Sequence, residues 1–308
     1  MFFTHNAIGM EVSQHGIRFA VLAGGKGAPR LVTHGGASFA SGIVRILHRE
    51  PNVADPKAFV GTVREEFCKL LARTNLVSVT LPDAVGRIMI MDFDTRFKNR
   101  EEGRDMIRWK LKKSLPLDSG DMHLDYQTLR ERDNGSLSVL IAVVARQVVT
   151  QYEDLLLEAG IQPNRIDFNT FNLYRVAAKR VPSEDTALFV AFHRGMLSML
   201  VLTDGVIDFY RAKEMGRDGV DPNRIFMEVN SSLLVYRDKN PGREVKSVLC
   251  LAPPDGGESF SGIVAEASGV DPVLFAPQTF IASNGSTAAA PASLHDLAAA
   301  LGAATRNL

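Results

Sequence analysis

The stretch AIGMEVSQHGIRFAVL, residues 7–22, holds two strand-like runs around a tight turn at Gln14-His15-Gly16. A unit of the same shape returns as ALFVAFHRGMLSMLVLTDG, residues 187–205. Each is followed by a further strand-like segment, LVTHGGASFA at 31–40 and VIDFYRAK at 206–213, and then by a helix and a buried strand. A chain that repeats a three-strand meander in this way is constrained to a duplicated α/β fold with a cleft between two lobes. In such folds ligands bind where strand–turn units face the cleft.

The rest of the chain fits around the two meanders. Residues 56–74 read as a helix, with Phe59, Val63, Phe67 and Leu70–Leu71 recurring at three and four and Pro56 in its first turn. LVSVTLP (76–82) and RIMIMDF (87–93) read as strands. A charged helix begins near Asn99 or Arg100, with acidic residues leading, basic residues trailing and Pro116 as its stop. Residues 121–146 read as a hairpin turning at Asn134-Gly135, and 148–160 as an amphipathic helix with a glycine stop. A short strand then feeds a helix over 161–180. In the second half the pattern predicts a helix at 223–238, a strand at 245–254, a short helix at 262–269 and an edge strand at 270–277. A low-complexity loop at 280–293 precedes a small-residue helix at 294–304, whose composition predicts close packing against another element.

Composition narrows the function. The 35 basic residues balance 35 acidic ones, which argues against a nucleic-acid partner. Apolar runs such as LSVLIAVVA (137–145) fall well short of the about 20 residues that span a bilayer. No signal peptide is expected at the N-terminus. The two cysteines, Cys68 and Cys250, read as buried reduced thiols, and the seven histidines lack ligand spacing, so no metal site is expected.

Two hairpins in these positions resemble the two phosphate loops of the actin-like ATPase superfamily. Within it the chain resembles the PilM family of type IV pilus assembly, relatives of the cell-division protein FtsA. The family opening, Gly-Ile-Asp-Ile-Gly-Ser-Ser-Ser-Val-Lys, is matched in frame by Gly9 to Arg18. The second family loop, Val-Asp-Ile-Gly, is matched by Val190-Ala191-Phe192-His193, with Asp204-Gly205 and Arg211 beyond it. MIRWKLKKSLPLDSGDMHLDYQTL, EDLLLEAGIQPNRIDFNTFNLYRV and LAAALGAATR are similar, in the same order, to three further family stretches. The resemblance implies a duplicated actin-like (ribonuclease H-like) α/β fold, with an inserted α+β subdomain and a reduced or missing small subdomain in the second lobe. The boundaries expected are 1–84 with 161–185 for the first lobe, 85–160 for the insert and 186–308 for the second lobe.

The resemblance places any nucleotide on Glu11, Ser13, Gly16 and Arg18, with ATP and magnesium as cofactors. The residues themselves predict a degenerate site without cofactor. Phosphate loops work through backbone N–H groups that small residues leave approachable. Here the loop glycines are Ser13 and His193, and the second-loop aspartate is Ala191. Glu11 and Asp204 could be read as a carboxylate pair, but Asp204-Gly205 is a routine turn dipeptide. A kinase-like enzyme of this fold would need an intact second loop.

The function expected from the resemblance is therefore a cytoplasmic scaffold, peripheral at the inner membrane and not an enzyme. It would bind the cytoplasmic N-terminal peptide of a PilN-like membrane protein, in a groove near residues 85–150, alongside other pilus assembly proteins. An ATP-binding switch or weak ATPase of the same fold is the alternative. Trp109, the only tryptophan, reads first as a core anchor, and with Arg108 as a partner contact. The basic residues of that helix, Arg104, Arg108, Lys110, Lys112 and Lys113, suit an acidic partner or simply a solvated face.

Overall fold

The computed structural model describes residues 6–24, 27–114, 121–182, 185–216, 221–282 and 290–308. The helix stop expected at Pro116 and residues 283–289 of the low-complexity stretch lie outside the described residues.

The first hairpin forms β1 (Asn6–Ser13) and β2 (Gly16–Ala23), extended by β3 (Arg30–Ser38). Then β4 (Leu76–Leu81) and β8 (Gln162–Phe168) add in parallel, giving the order β3-β2-β1-β4-β8. The second half repeats this with β9 (Thr186–His193), β10 (Met196–Thr203), β11 (Val206–Glu214), β12 (Ser247–Leu251) and β13 (Pro272–Leu274). Its order is β11-β10-β9-β12-β13, again an antiparallel meander followed by two parallel strands. The internal repeat read from the sequence is thus a repeat of topology.

A third sheet, β5-β7-β6, is built from β5 (Gly86–Phe93), β6 (Met122–Glu131) and β7 (Leu137–Ala145). β7 alternates buried and half-buried residues along its length, the period of a strand with one covered face. That face, Leu137, Val139, Ile141 and Val143, packs with Ile107 and Leu111 of α2 (Arg100–Ser114).

The helices show why these residues fold locally. α1 (Pro56–Lys69) starts with Pro56 in its first turn, and the Asp55 carboxylate accepts from the Ala58 N–H at 3.0 Å. Its Phe59, Val60 and Val63 face the first sheet. The helix ends five residues before the expected Thr74, because Leu71 takes a left-handed conformation at φ 49°. α3 (Arg146–Glu158) buries Val148, Tyr152, Leu155 and Leu156 in the same core. Its glycine stop is real, with Gly160 at φ 89°.

α4 (Asn169–Ala177) follows β8 and leads into the second lobe. α5 (Pro222–Lys239) and α6 (Gly257–Ser268) cover one face of the second sheet. The closing helix is two pieces, α7 (Pro291–Asp296) and α8 (Ala298–Ala304), broken at Leu297. α8 packs against β1, β2, β4 and α4, which fulfils the close packing expected of its small residues. A Cβ at Gly9 of β1 would sit 2.0 Å from the Ala300 carbonyl oxygen, and one at Gly302 would sit 2.0 Å from that of Asn172. Only glycine at both positions lets this helix seat.

Two expectations need correction. Trp109 is no core anchor: it is 62 % exposed on α2, since the buried stripe of that helix falls on Ile107 and Leu111. Cys68 is exposed, lying off the apolar face of α1, whereas Cys250 is buried. Burial pushes the Cys250 thiol up to about 12.

Candidate functional site

The turns of the two hairpins meet between the lobes. In the first, the Ser13 hydroxyl donates to the Gly16 carbonyl at 3.0 Å and accepts from the His15 N–H at 3.3 Å. Gly16 is used by the sheet: a Cβ there would meet the Ala37 carbonyl oxygen of β3 at 2.2 Å. In the second turn Arg194 (φ 50°) and Gly195 (φ 79°) both take positive φ, the conformation that two-residue hairpins need. Arginine is an unusual first residue for such a turn.

Its side chain gives the reason. Glu11 is 1 % exposed, and its Oε1 gathers three donors: His193 Nε2 at 2.8 Å, Arg194 Nε at 2.9 Å and Asn169 Nδ2 at 3.3 Å. Burial alone would raise the Glu11 pKa, but the charges and hydrogen bonds of His193 and Arg194 outweigh it and lower it to about 2. Glu11 is therefore ionised and can only accept, so His193 Nε2 carries the proton of their bond. Arg194 continues outward to Asp296 Oδ1 at 2.8 Å, and Asp296 also pairs with Arg18 of β2. The result is an alternating chain, Arg18–Asp296–Arg194–Glu11, that joins the first hairpin, the second hairpin and α7. His295 lies beside it, its ring 5.5 Å from that of His193, and burial lowers its pKa to about 3.

Beside this chain opens a cavity of about 310 Å³, lined in part by Gln14, Asp83, Asn169, His193, Arg194 and Ser198. Asp83 is buried; its carboxylate accepts from the Tyr210 hydroxyl at 2.8 Å and the Thr170 N–H at 3.2 Å. Burial pushes it up to about 6, against the hydrogen bonds of Thr170 and Tyr210. Thr170 and Ser198 add a hydroxyl pair at 2.8 Å. Polar contacts thus bridge the two lobes beside this cavity.

All four residues expected to serve a nucleotide are engaged within the chain. Ser13 closes its own turn, Gly16 abuts β3, and Glu11 and Arg18 belong to the ion-pair chain. Ala191 is fully buried in β9. The Glu11–Asp204 pairing does not form. Asp204 lies at the far end of β10 from the Arg194 turn, with its side chain 66 % exposed and 3.9 Å from Arg130. Arg211 pairs with Glu228 at 2.6 Å. Asn169, Arg194, Asp83 and Asp296 were not singled out from the sequence. Of these only Arg194 carried a local sign, a bulky cation before glycine in a two-residue turn.

A second feature is a groove of about 350 Å³ between β8, the edge of the first sheet, and β6, the edge of the third. Leu124, Ala142, Val144, Val149 and Phe168 belong to its apolar part, and Arg104, Arg165, Asp125, Glu153 and Asp167 form its charged part. The Arg104 Nε in this wall is buried without a hydrogen-bond partner among the described residues. α2 contributes Arg104 to the lining, while Trp109 stands on its exposed surface and Arg108 pairs with Asp105 at 3.2 Å. Among the described residues no cluster of histidine, cysteine and carboxylate residues could hold a metal, and no helix is long and apolar enough to cross a membrane.

No family model and no curated protein matches the sequence. Solved structures do match the fold. The structure described as the PilM-PilN type IV pilus biogenesis complex superposes with a TM-score of 0.78 at 15 % identity, covering 99 % of each chain. The cytoplasmic domain of EpsL, an inner membrane component of the type II secretion system of Vibrio cholerae, gives 0.53 at 13 % identity, covering 96 % of this chain and 94 % of that one. A protein of actin-like ATPase fold and unknown function from Bacteroides thetaiotaomicron gives 0.52 at 9 % identity, covering 90 % and 95 %. The repeated sheet topology, the paired hairpin turns and these likenesses together show that the chain has the fold these structures share, an actin-like fold.

Proposed function

We propose that this chain is an actin-like scaffold of a type IV pilus or related secretion assembly, acting in the cytoplasm at the inner membrane. It binds the cytoplasmic N-terminal peptide of a PilN-like membrane protein and does so without hydrolysing nucleotide. The observation that carries the reading is the full-length likeness to PilM in its complex with PilN, together with a groove between two sheet edges in the part of the chain where the resemblance puts the peptide. An extended peptide laid there gains main-chain hydrogen bonds from an exposed edge, and the apolar wall selects its side chains. The Arg104 Nε supplies an unused donor, and Arg108 and Trp109 offer further contacts on the same helix.

The test is a titration with synthetic peptides matching the cytoplasmic N-termini of PilN-like membrane proteins from the same organism, followed by anisotropy of a label on the peptide. Binding by the wild type, lost in Ala142→Arg, supports the groove. Equal binding by both proteins sinks it.

The cavity between the lobes favours one alternative, an ATP-binding switch. The surroundings oppose it. A triphosphate entering there meets the carboxylate of Asp83, and the Arg194 guanidinium lining the cavity is already paired with Glu11 and Asp296. Melting the protein with and without millimolar Mg-ATP decides. A ligand at one hundred times its dissociation constant adds about 2.7 kcal/mol to the folded state, so a midpoint rise lost on adding EDTA would establish the switch.

A further inference from the structure

The donors around Glu11 come from elements other than its own. His193 and Arg194 belong to the second hairpin, and Asn169 opens α4. For Asn169 and Arg194 the aim is fixed independently of Glu11, whereas His193 Nδ1 has no hydrogen-bond partner among the described residues. The Thr80 hydroxyl donates to Asn169 Oδ1 at 2.9 Å, which turns the amide Nδ2 toward the carboxylate. The Asp296 carboxylate and backbone carbonyl hold the far end of the Arg194 guanidinium. What remains is a ring of three donors, two of them preset, and such a ring is how proteins hold anions.

The fit of Glu11 to that ring is one-sided. All three donors reach Oε1, while Oε2 is buried with no hydrogen-bond partner among the described residues. A cradle evolved around this carboxylate would be expected to use both oxygens. The same three donor residues line the cavity of about 310 Å³, so the ring can be reached from the cleft.

We propose that the lobe junction is an anion-binding site whose anion is supplied in cis: His193, Arg194 and Asn169 form the cradle, and the Glu11 carboxylate occupies it in place of a phosphate or carboxylate ligand. The inference rests on the nucleotide-independent reading above and gives it a mechanism. In a two-lobed fold a bound anion ties the hairpin turns together only while it is bound. A tethered carboxylate ties them always, so lobe closure and the shape of the peptide groove stay constant whatever the nucleotide level.

The test is chemical rescue of Glu11→Ala by inorganic phosphate and by acetate, against chloride at matched ionic strength. The readout is the thermal midpoint of the full chain. The wild type is expected to ignore all three salts. Glu11→Ala should melt several degrees lower and recover at least half of that loss in acetate or phosphate. Glu11→Ala/Arg194→Asn should show no recovery. A folded Glu11→Ala that neither salt stabilises beyond chloride overturns the proposal, as does a wild type raised equally by them. Should Glu11→Ala fail to fold, a double-mutant cycle of Glu11→Gln and Arg194→Gln replaces it. Losses that fail to add support the cradle, and strictly additive losses overturn it. Mg-ATP is run alongside: a wild type raised by ATP overturns the nucleotide-independent reading, whereas absent rescue in a protein that ignores ATP overturns the cradle alone.

Discussion

Glu11 Oε1 lies 2.9 Å from Arg194 Nε across the lobe boundary, and Arg194 holds a left-handed backbone at φ 50° to make that contact. The two effects oppose each other. Asparagine suits the turn better than arginine, by about 1 kcal/mol. Removing one partner of a buried ion pair costs roughly 3–5 kcal/mol. Arg194→Asn is therefore expected to lower the stability by a net ~2–4 kcal/mol in urea unfolding. A gain in stability would mean that turn strain outweighs the pair.

Acid should expose the remaining charges, and the signs differ. His295 is held down to about 3 by burial, so below its ordinary 6.5 the unfolded chain takes up a proton that the folded one refuses. Its contribution is lost as pH falls from 6.5 toward 3. Glu11, held down to about 2, adds a further loss below 4.5. Asp83 works the other way: with its pKa raised by burial from 3.8 to about 6, the folded state binds the extra proton, and acid through that window stabilises. Asp83→Asn should remove this offset. Its stability curve should then gain slope over the wild type by about 1.4 kcal/mol per pH unit between roughly pH 4 and 6. Parallel curves from urea midpoints across that range would show that Asp83 does not titrate as described.

The repeated topology was legible because both meanders keep a strand period and a glycine in their turns, and because insertion between them did not disturb their internal order. The departures of the second loop were also legible, since Ala191 and His193 stand where the family has aspartate and glycine. The ion-pair chain at the lobe junction was not. Glu11 and Arg194 are 183 residues apart, and nothing local to either announces the other. Asn169 and Asp296 are likewise ordinary residues until the fold brings them to the junction. Trp109 misled for a related reason: on an amphipathic helix a tryptophan beside two apolar positions reads as core, and only the sheet's placement shows that Ile107 and Leu111 take that face.

The seat of α8 predicts two intolerant positions. A methyl group at Gly9 or at Gly302 would overlap backbone, at 2.0 Å from a carbonyl oxygen in each case, and backbone cannot step aside as a side chain does. Overpacking of this kind typically costs 1–3 kcal/mol and more where backbone must move. Gly9→Ala and Gly302→Ala should each lower the thermal midpoint by several degrees or prevent soluble expression. Gly262→Ala, where nothing lies within 4 Å of the added carbon, should be near neutral. Equal behaviour of the three variants would show that α8 does not pack as described.

Leu71 makes the opposite prediction. It takes the left-handed position just past α1, where glycine is the usual residue, and its side chain is 88 % exposed. Left-handed backbone costs a non-glycine residue roughly 1–2 kcal/mol, while glycine's extra freedom in the unfolded chain costs about 0.5–1 kcal/mol. Little buried area is at stake, so Leu71→Gly should stabilise the chain by about 0.5–1 kcal/mol in urea unfolding. The same change removes an exposed leucine that lines neither the cavity nor the groove. A loss of stability would mean that the leucine packs against the end of α1 more closely than its exposure indicates.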